Sequence, residues 1–353
     1  MADAGRGVRL TVASVAYPFA AVGRNAVGGA EQVLASIDRA LVAAGHGSIV
    51  IARAESEVAG ELVAIPARTG MIDAAARAAA YADVSRAIAS VRNRVDIMHV
   101  HGIDFASYLP PPGRPVLATL HLPPGWYPVD ALAERPGLWL HAVSDDQHRG
   151  LLARAGLHGR ILPPIPNGVP VEALAARHAR RGFALTLGRV CPEKGQHTAL
   201  AAAHLAGVPL LIGGEVFPYP DHRAYFDTRV APFLDQRRRF LGPVGFVRKR
   251  RLLTAARCLL VPSTAAETSS LVAMEALACG TPVIAFRAGA LPSVVEHGRT
   301  GFLVDDAPGM AAAITRAGEI DPAACRDAAR TRFSETASTA AYLATYAKLA
   351  ACA

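Results

Sequence analysis

Arg189 and Lys194 lie in the run Gly188-Arg189-Val190-Cys191-Pro192-Glu193-Lys194-Gly195, directly after the apolar stretch Phe183–Leu187, which reads as a strand. Two cations in a glycine-flanked loop can converge on a diphosphate. The arginine offers a planar fork of donors and the lysine a point charge. Read alone, the run could equally be a solvated loop with incidental charges. A second constellation follows Pro262-Ser263: the segment Glu267-Thr268-Ser269-Ser270-Leu271-Val272-Ala273-Met274-Glu275. Thr268 to Ser270 read as the start of a helix, with hydroxyls as caps and free backbone N–H groups that attract an anion. Glu267 stands just before that helix, and Glu275 falls within the otherwise apolar stretch Leu271–Ala278. A carboxylate buried there needs partners. Carboxylates in these two places could accept hydrogen bonds from hydroxyls on either side of a bound phosphate, such as a hexose and a ribose. The plainer alternative makes Glu267 a helix-dipole charge and Glu275 an exposed helix residue.

Three weaker signals accompany these. Gly28-Gly29-Ala30 opens a helix, where glycine lets backbone approach a ligand and the helix N-terminus favours negative charge. His121 ends the apolar run Val116–Leu120 and precedes Pro123-Pro124-Gly125, so a titratable imidazole could bridge two substrates there. His99 and His101, two apart on one strand face, resemble half of a metal site. The sequence suggests no third ligand, and no metal or other cofactor is expected.

The elements that position these residues alternate short β-branched runs with alanine-rich helical segments, the signature of parallel α/β layers. In the first half the expected strands are Arg9–Val15, Ser48–Ala52, Glu61–Ile65, Asp96–His101, Val116–His121 and Leu138–Ser144. Ala30, Val33, Leu34, Ile37 and Leu41 follow helical spacing, and Gly45-His46-Gly47 ends that helix. The second half restarts with strands at Phe183–Leu187, Pro209–Ile212, Cys258–Pro262, Pro282–Phe286 and Phe302–Val304. Helices are expected near Gln196–Leu205, Arg248–Arg257, Ser270–Cys279 and Pro292–His297. The proline-dense stretch Leu162–Val171 resists both helix and central strand, which puts a domain break there. Two doubly wound domains, 1–165 and 166–335, would then face each other across a cleft. A last helix, 336–353, is a candidate to pack back on the first domain. In such sheets ligands bind at the carboxyl ends of strands, where the motifs fall.

With 353 residues, 52% of them apolar, the chain can bury two cores. No apolar run reaches the roughly 18 residues of a membrane span, and Met1–Gly7 carries an Arg without an apolar stretch behind it. Five cysteines without a CxxC pair argue against a disulfide framework or zinc. A cytoplasmic protein is expected. Net charge is +8, and it concentrates in residues 166–353, with 22 basic against 15 acidic side chains. The clusters Arg237-Arg238-Arg239 and Arg248-Lys249-Arg250-Arg251 read mainly as a solvated basic face, and no nucleic-acid motif accompanies them.

Taken in order, these motifs resemble family 4 of the glycosyltransferases, retaining enzymes of the GT-B fold with two Rossmann-like domains. The resemblance spans nearly the whole chain and is strongest from Gly188 to Asp306. It rests on Gly28-Gly29, Thr119-Leu120-His121, Ala142-Val143-Ser144, Asn167-Gly168-Val169, Gly188–Gly195, Phe240–Val244, the Glu267–Glu275 element, Ala278–Phe286 and Glu296–Val304. By this resemblance the first domain takes the acceptor and the second the donor. Arg189 and Lys194, with Gly188 beside them, would grip the donor pyrophosphate. Glu267 would contact hexose hydroxyls and Glu275 the ribose, while amides near Ser269, Ser270 and Leu271 complete the sugar and phosphate site. Backbone near Val244 would meet the base, His121 would lie beside the transferred sugar, and Gly28-Gly29 would close over the phosphate. The family often has an aromatic and a glycine where this chain has Ser269 and Ser270. An acidic residue is usual at Ser293, and Asp often stands at Pro170.

The implied reaction is front-face substitution, in which the departing phosphate takes the acceptor's proton and Arg189, Lys194 and the helix terminus stabilise charge. No DxD pair is present to hold a metal. The expected substrates are a nucleotide diphosphate sugar, UDP-linked by family frequency, and a soluble small-molecule acceptor. The first domain supports the latter, since its 15 basic and 14 acidic residues leave it almost neutral. The helical stretch Asp73–Val91, a candidate for a membrane-facing surface, carries Arg77 and Arg86 offset by Asp73 and Asp83. Alternatives are a lipid-linked acceptor at a membrane surface, a non-catalytic nucleotide-sugar binding subunit, or a sugar-phosphate epimerase or phosphorylase of the same fold. The last would need a pyridoxal lysine, and none of Lys194, Lys249 and Lys348 has that context. Oligomeric state is left open.

Overall fold

Short runs rich in Val, Ile and Leu leave no polar face, so their strands must be covered on both sides by helices. The computed structural model describes residues 9–154, 160–176 and 178–352. Met1–Gly7, read above for an apolar leader, lies outside them. The first half runs β1 (Thr11–Val15), α1 (Gly29–Ala43), β2 (Gly47–Arg53), β3 (Glu61–Ile65), α2 (Ala74–Val91), β4 (Ile97–Val100), β5 (Val116–Leu120), β6 (Leu138–Ala142) and α3 (Asp145–Leu152). The second half begins with α4 (Val171–Leu174), β7 (Ala184–Leu187), α5 (Gln196–Leu205), β8 (Leu210–Gly213), α6 (Pro220–Tyr225), β9 (Arg238–Phe240) and α7 (Phe246–Ala255). It continues through β10 (Cys258–Val261), α8 (Leu271–Ala278), β11 (Val283–Phe286), α9 (Leu291–Val294), β12 (Gly301–Val304), α10 (Ala307–Arg316), α11 (Pro322–Arg332) and α12 (Glu335–Ala351).

Each half forms a six-stranded parallel sheet, ordered β3-β2-β1-β4-β5-β6 and β12-β11-β10-β7-β8-β9. In both, the chain winds outward for three strands and then returns to the other side of its first. The switch points therefore lie between β1 and β4 and between β7 and β10, where strand carboxyl ends leave a crevice. The second sheet contains a strand that the sequence reading missed. Arg238 and Arg239 form the edge strand β9, and Arg238 pairs with Asp235. Charge on an edge strand hinders pairing with other chains, which explains why the segment lacks an apolar signature. Helix α9 is also shorter than Pro292–His297, ending at Val294.

Helix α12 crosses back to the first sheet. Its Tyr342, Tyr346 and Leu349 pack with Leu10, Val12, Ile37, Leu41, Ile97 and Leu117. The two crossings between halves are joined where they meet: Val169 N–H donates to Phe333 O at 2.8 Å and Glu335 N–H to Val169 O at 3.1 Å. A Cβ on Gly168 would lie 2.4 Å from Ser334 O, so the residue there must be glycine for the strands to touch. Deep in this interface the Tyr346 hydroxyl bonds His99 Nδ1 at 2.7 Å. Tyr346→Phe should lower the unfolding free energy by about 1–3 kcal/mol, because it strands a buried ring nitrogen. Urea denaturation checks this, and an unchanged midpoint would remove the bond from the account.

Candidate functional site

A cavity of about 490 Å³ lies between the carboxyl ends of the two sheets. All twelve residues singled out above line it: Gly28, Gly29, His121, Gly188, Arg189, Lys194, Val244, Glu267, Ser269, Ser270, Leu271 and Glu275.

The cation loop leaves β7 through Gly188 (φ 140°) and ends at Gly195 (φ 64°), both in the region open to glycine. A Cβ on Gly195 would lie 2.2 Å from Pro262 O, so only glycine lets this loop lie against the end of β10. Thr264 N–H donates to Glu193 O at 2.9 Å and Gln196 Nε2 to Arg189 O at 2.8 Å, fixing the loop from both sides. Lys194 Nζ reaches Glu267 Oε1 at 2.6 Å, and the Ser263 hydroxyl donates to the same oxygen. Burial works to raise the Glu267 carboxyl. The Lys194 ammonium, its hydrogen bond, Ser263 and the nearby Arg189 outweigh burial and hold it below the usual range.

Glu275, inside α8, finds its partner in Lys249 of α7. Lys249 is 7% exposed and Glu275 is 3% exposed, which corrects the reading of 248–251 as a wholly solvated basic face. Phe246, Lys249 and Leu253 form one buried stripe of α7, so the lysine takes an inward position. Its ammonium also contacts Gln32 Oε1 of α1 at 3.3 Å, across the cleft.

The helix start differs from expectation. Ser270, at the N-cap of α8, makes no capping hydrogen bond and adopts φ 64°, ψ 69°. It is the one non-glycine residue with positive φ among those described. For a residue with a Cβ that backbone costs roughly 1–2 kcal/mol. The Ser269 and Ser270 hydroxyls are buried without a partner among the described residues, so neither is used to cap the helix.

On the facing side, a Cβ on Gly29 would lie 3.2 Å from Leu271 Cδ1, and Thr268 Oγ1 donates to His121 O at 2.8 Å. His121 Nε2 pairs with His101 Nδ1 at 3.0 Å. Behind them His99 Nε2 meets Thr119 Oγ1 at 2.6 Å, and Thr119 meets His141 Nε2 at 2.6 Å. Both ring nitrogens of His99 are thus used by Thr119 and Tyr346. Burial lowers all four imidazoles: His99 and His101 fall well below their ordinary value, His121 falls to about 3 and His141 to about 4. His121 is therefore a neutral hydrogen-bonding group, not the titrating one expected from its position.

Sequence reading missed several lining residues. Arg77, weighed above as a membrane-facing cation, lines the cavity with its guanidinium 5.8 Å from the Tyr219 ring centroid. The Tyr219 hydroxyl bonds that of Tyr17 across the cleft. Glu31, in the first turn of α1, is buried beside Gly28, and burial raises its carboxyl. Only Glu31 carried a usable signal, an acid in the first turn after a glycine pair.

Comparison with known proteins places the two halves separately. The family pattern "Glycosyltransferase Family 4" matches residues 27–173, and "Glycosyl transferases group 1" matches residues 182–319. The D-inositol 3-phosphate glycosyltransferase of Mycolicibacterium smegmatis is 38% identical over 172 residues, 46% of this chain and 39% of that protein. The chain thus matches well under half the length of this curated relative. Sucrose-phosphate synthase from Thermosynechococcus elongatus superimposes with a TM-score of 0.79 at 23% identity, over 98% of this chain and 100% of that one. HepE of Anabaena, solved with UDP and glucose, superimposes with a TM-score of 0.74 at 19% identity, over 96% and 99%. Both likenesses establish the two-domain GT-B fold.

The buried imidazoles make stability depend on pH. Their folded values lie below 6.5, so as pH falls the unfolded chain takes up protons first. The stabilisation is complete above about pH 6.5 and is lost as pH falls from there toward the folded values, by up to about 1.4 kcal/mol per unit for each histidine. Glu31 and Asp104, raised by burial, act in the opposite sense, so the net falls short of four protons. Urea midpoints should drop steadily between pH 7 and 5.5, and a flat profile would contradict the neutral cluster.

Proposed function

The chain belongs to glycosyltransferase family 4, and from that premise we propose that it moves a hexose or N-acetylhexosamine from a UDP-linked donor to a hydroxyl of a soluble small-molecule acceptor, with retention at the anomeric carbon. The observation that carries this reading is the convergence of Arg189, Lys194, Glu267 and the start of α8 on one cavity between the sheets. Two cations and a helix N-terminus there suit a departing diphosphate, whose developing charge they stabilise without reorganising. Glu267, held ionised by Lys194, is an acceptor for hexose hydroxyls, and the free hydroxyls of Ser269 and Ser270 offer further partners. Glu275 serves the ribose with Lys249 beside it.

The acceptor oxygen attacks from the face on which the phosphate leaves, and a phosphate oxygen takes its proton. That route needs no protein base, which fits His121: an imidazole with a pKa near 3 is a poor base at neutral pH but a good positioning group. Protein cations take the place of a metal in the transfer step. UDP is favoured by the structural likeness to HepE, and a polyhydroxylated acceptor by the inositol-phosphate glycosyltransferase relative. A soluble acceptor is further supported by α2, where Arg77 turns into the cavity and Arg86 pairs with Asp83. No described helix is long and apolar enough to cross a membrane.

Calorimetry with UDP tests the phosphate site. Arg189→Ala or Lys194→Ala should weaken binding by roughly 2–4 kcal/mol. Unchanged affinity in both would end the assignment. Glu275→Gln should lose UDP affinity, whereas Glu267→Gln should keep it and lose turnover.

A screen of nucleotide sugars against cyclitol, cyclitol-phosphate and sugar acceptors, run with EDTA, tests the reaction. Turnover with a UDP-sugar should survive the chelator. A strict need for manganese, or activity confined to anionic vesicles, would overturn the metal-free or soluble-acceptor reading respectively.

A further inference from the structure

Beyond the transfer reaction, we propose that Cys191, Glu193 and His222 form a binding site for one borderline-soft divalent transition-metal ion of the zinc class, tying the phosphate loop to α6. Their ligand atoms, a thiol sulfur, a carboxylate oxygen and an imidazole nitrogen, all lie within 4.8 Å of one another. Cys191 is fully buried and His222 is 5% exposed. Glu193 Oε2 and His222 Nδ1 are buried without a hydrogen-bond partner among the described residues. Two side chains that each carry an unpartnered buried atom, and that each bring a ligand atom within 4.8 Å of the thiol, leave a deficit that a single cation fills.

The donor set is specific. Thiolate and imidazole select zinc-like ions over magnesium or calcium, and three protein ligands leave one position for water. Glu193 and His222 line the cavity, so that fourth position is reachable from solvent. Thiolate and carboxylate together cancel the charge of a divalent ion, which lets it sit close to Arg189 and Lys194. The Tyr219 ring, edge-on to His222 at 4.9 Å between centroids, holds the imidazole in place. Cys191 Sγ–H otherwise donates to Arg189 O at 3.8 Å. On binding, the S–H bond breaks, its proton passes to solvent and a sulfur–metal bond forms. Arg189 and Lys194 still hold the donor, and the ion fixes the loop that carries them.

Chelator-treated, desalted full-length protein kept reduced and titrated with Co²⁺ tests this. The expected result is one equivalent bound, with a thiolate-to-cobalt charge-transfer band that one equivalent of Zn²⁺ abolishes. Cys191→Ser should remove the band. Glu193→Gln and His222→Ala should weaken binding at least about tenfold. Cys352→Ser, which removes an exposed thiol, should leave the titration unchanged. No band in the unaltered protein, or a band that survives Cys191→Ser, overturns the site. Should Cys191→Ser fail to fold by circular dichroism, the other two variants decide. UDP calorimetry on the same samples keeps the readings apart: UDP binding without a cobalt band sinks the metal site alone, and a band without UDP binding sinks the donor reading alone.

Discussion

Two lysine–carboxylate pairs make the cleft possible. Lys194 against Glu267 and Lys249 against Glu275 set four charges in and beneath the cleft; Lys249 and Glu275 are almost wholly buried, so either left alone would cost several kcal/mol, whereas Lys194 stays partly exposed to the cavity. The chain contains only three lysines, and two are spent here. The remaining geometry follows from keeping those pairs in register. Gly195 must be glycine for the Lys194 loop to lie against Pro262, β10 must end beside it to deliver Glu267, and α7 must turn its Phe246–Lys249–Leu253 stripe toward α8. Ser270 takes a costly backbone conformation at the point where Glu267 hands over to the helix that carries Glu275.

Bonds around these pairs link the halves. Lys249 contacts Gln32 of α1, Thr268 contacts the His121 carbonyl, and Phe246 N–H donates to Asn25 Oδ1 at 2.8 Å. Each of these bonds joins an element of the second half to the first turn of α1, the loop before it, or the end of β5. The histidine cluster continues the chain of contact inward, from His121 through His101 to His99, whose ring meets that of His101 at a tilt, and then to Tyr346 of α12. A segment at the far end of the sequence thus backs the histidines behind the cavity wall.

What the sequence made legible was local. The Gly188–Gly195 loop and the Glu267–Glu275 element each fit within one strand-to-helix transition, so residue type and spacing were enough to place them. Their convergence followed from strand alternation, because switch points gather such loops. Lys249 escaped notice because a run of four cations masks the one that turns inward, and only the apolar spacing of Phe246 and Leu253 distinguishes it. Arg77 was legible as a helix residue but not as a lining one, since its direction depends on how α2 meets Tyr219 of the other half. Hydroxyls at Thr268 to Ser270 looked like caps, and the left-handed backbone at Ser270 turned them away from that task. The Cys191, Glu193 and His222 group joins a loop to a helix two elements later, a separation no spacing rule covers.

The seam at Val169 and Ser334–Glu335 has a mechanical consequence. The polypeptide passes between halves twice, and both passages run side by side, sharing two backbone hydrogen bonds and packed at Gly168 with no room for a side chain. Such a double strap resists shear and stretch, because each strand is braced by the other, yet bends readily across its short width. Bending at that strap would swing the halves against each other and open the cleft, against the few cross-cleft bonds at its far edge; hinge motions of this kind run on the microsecond-to-millisecond scale. A side chain at residue 168 would therefore pry the two passages apart, because its Cβ would meet the backbone of Ser334 and Glu335.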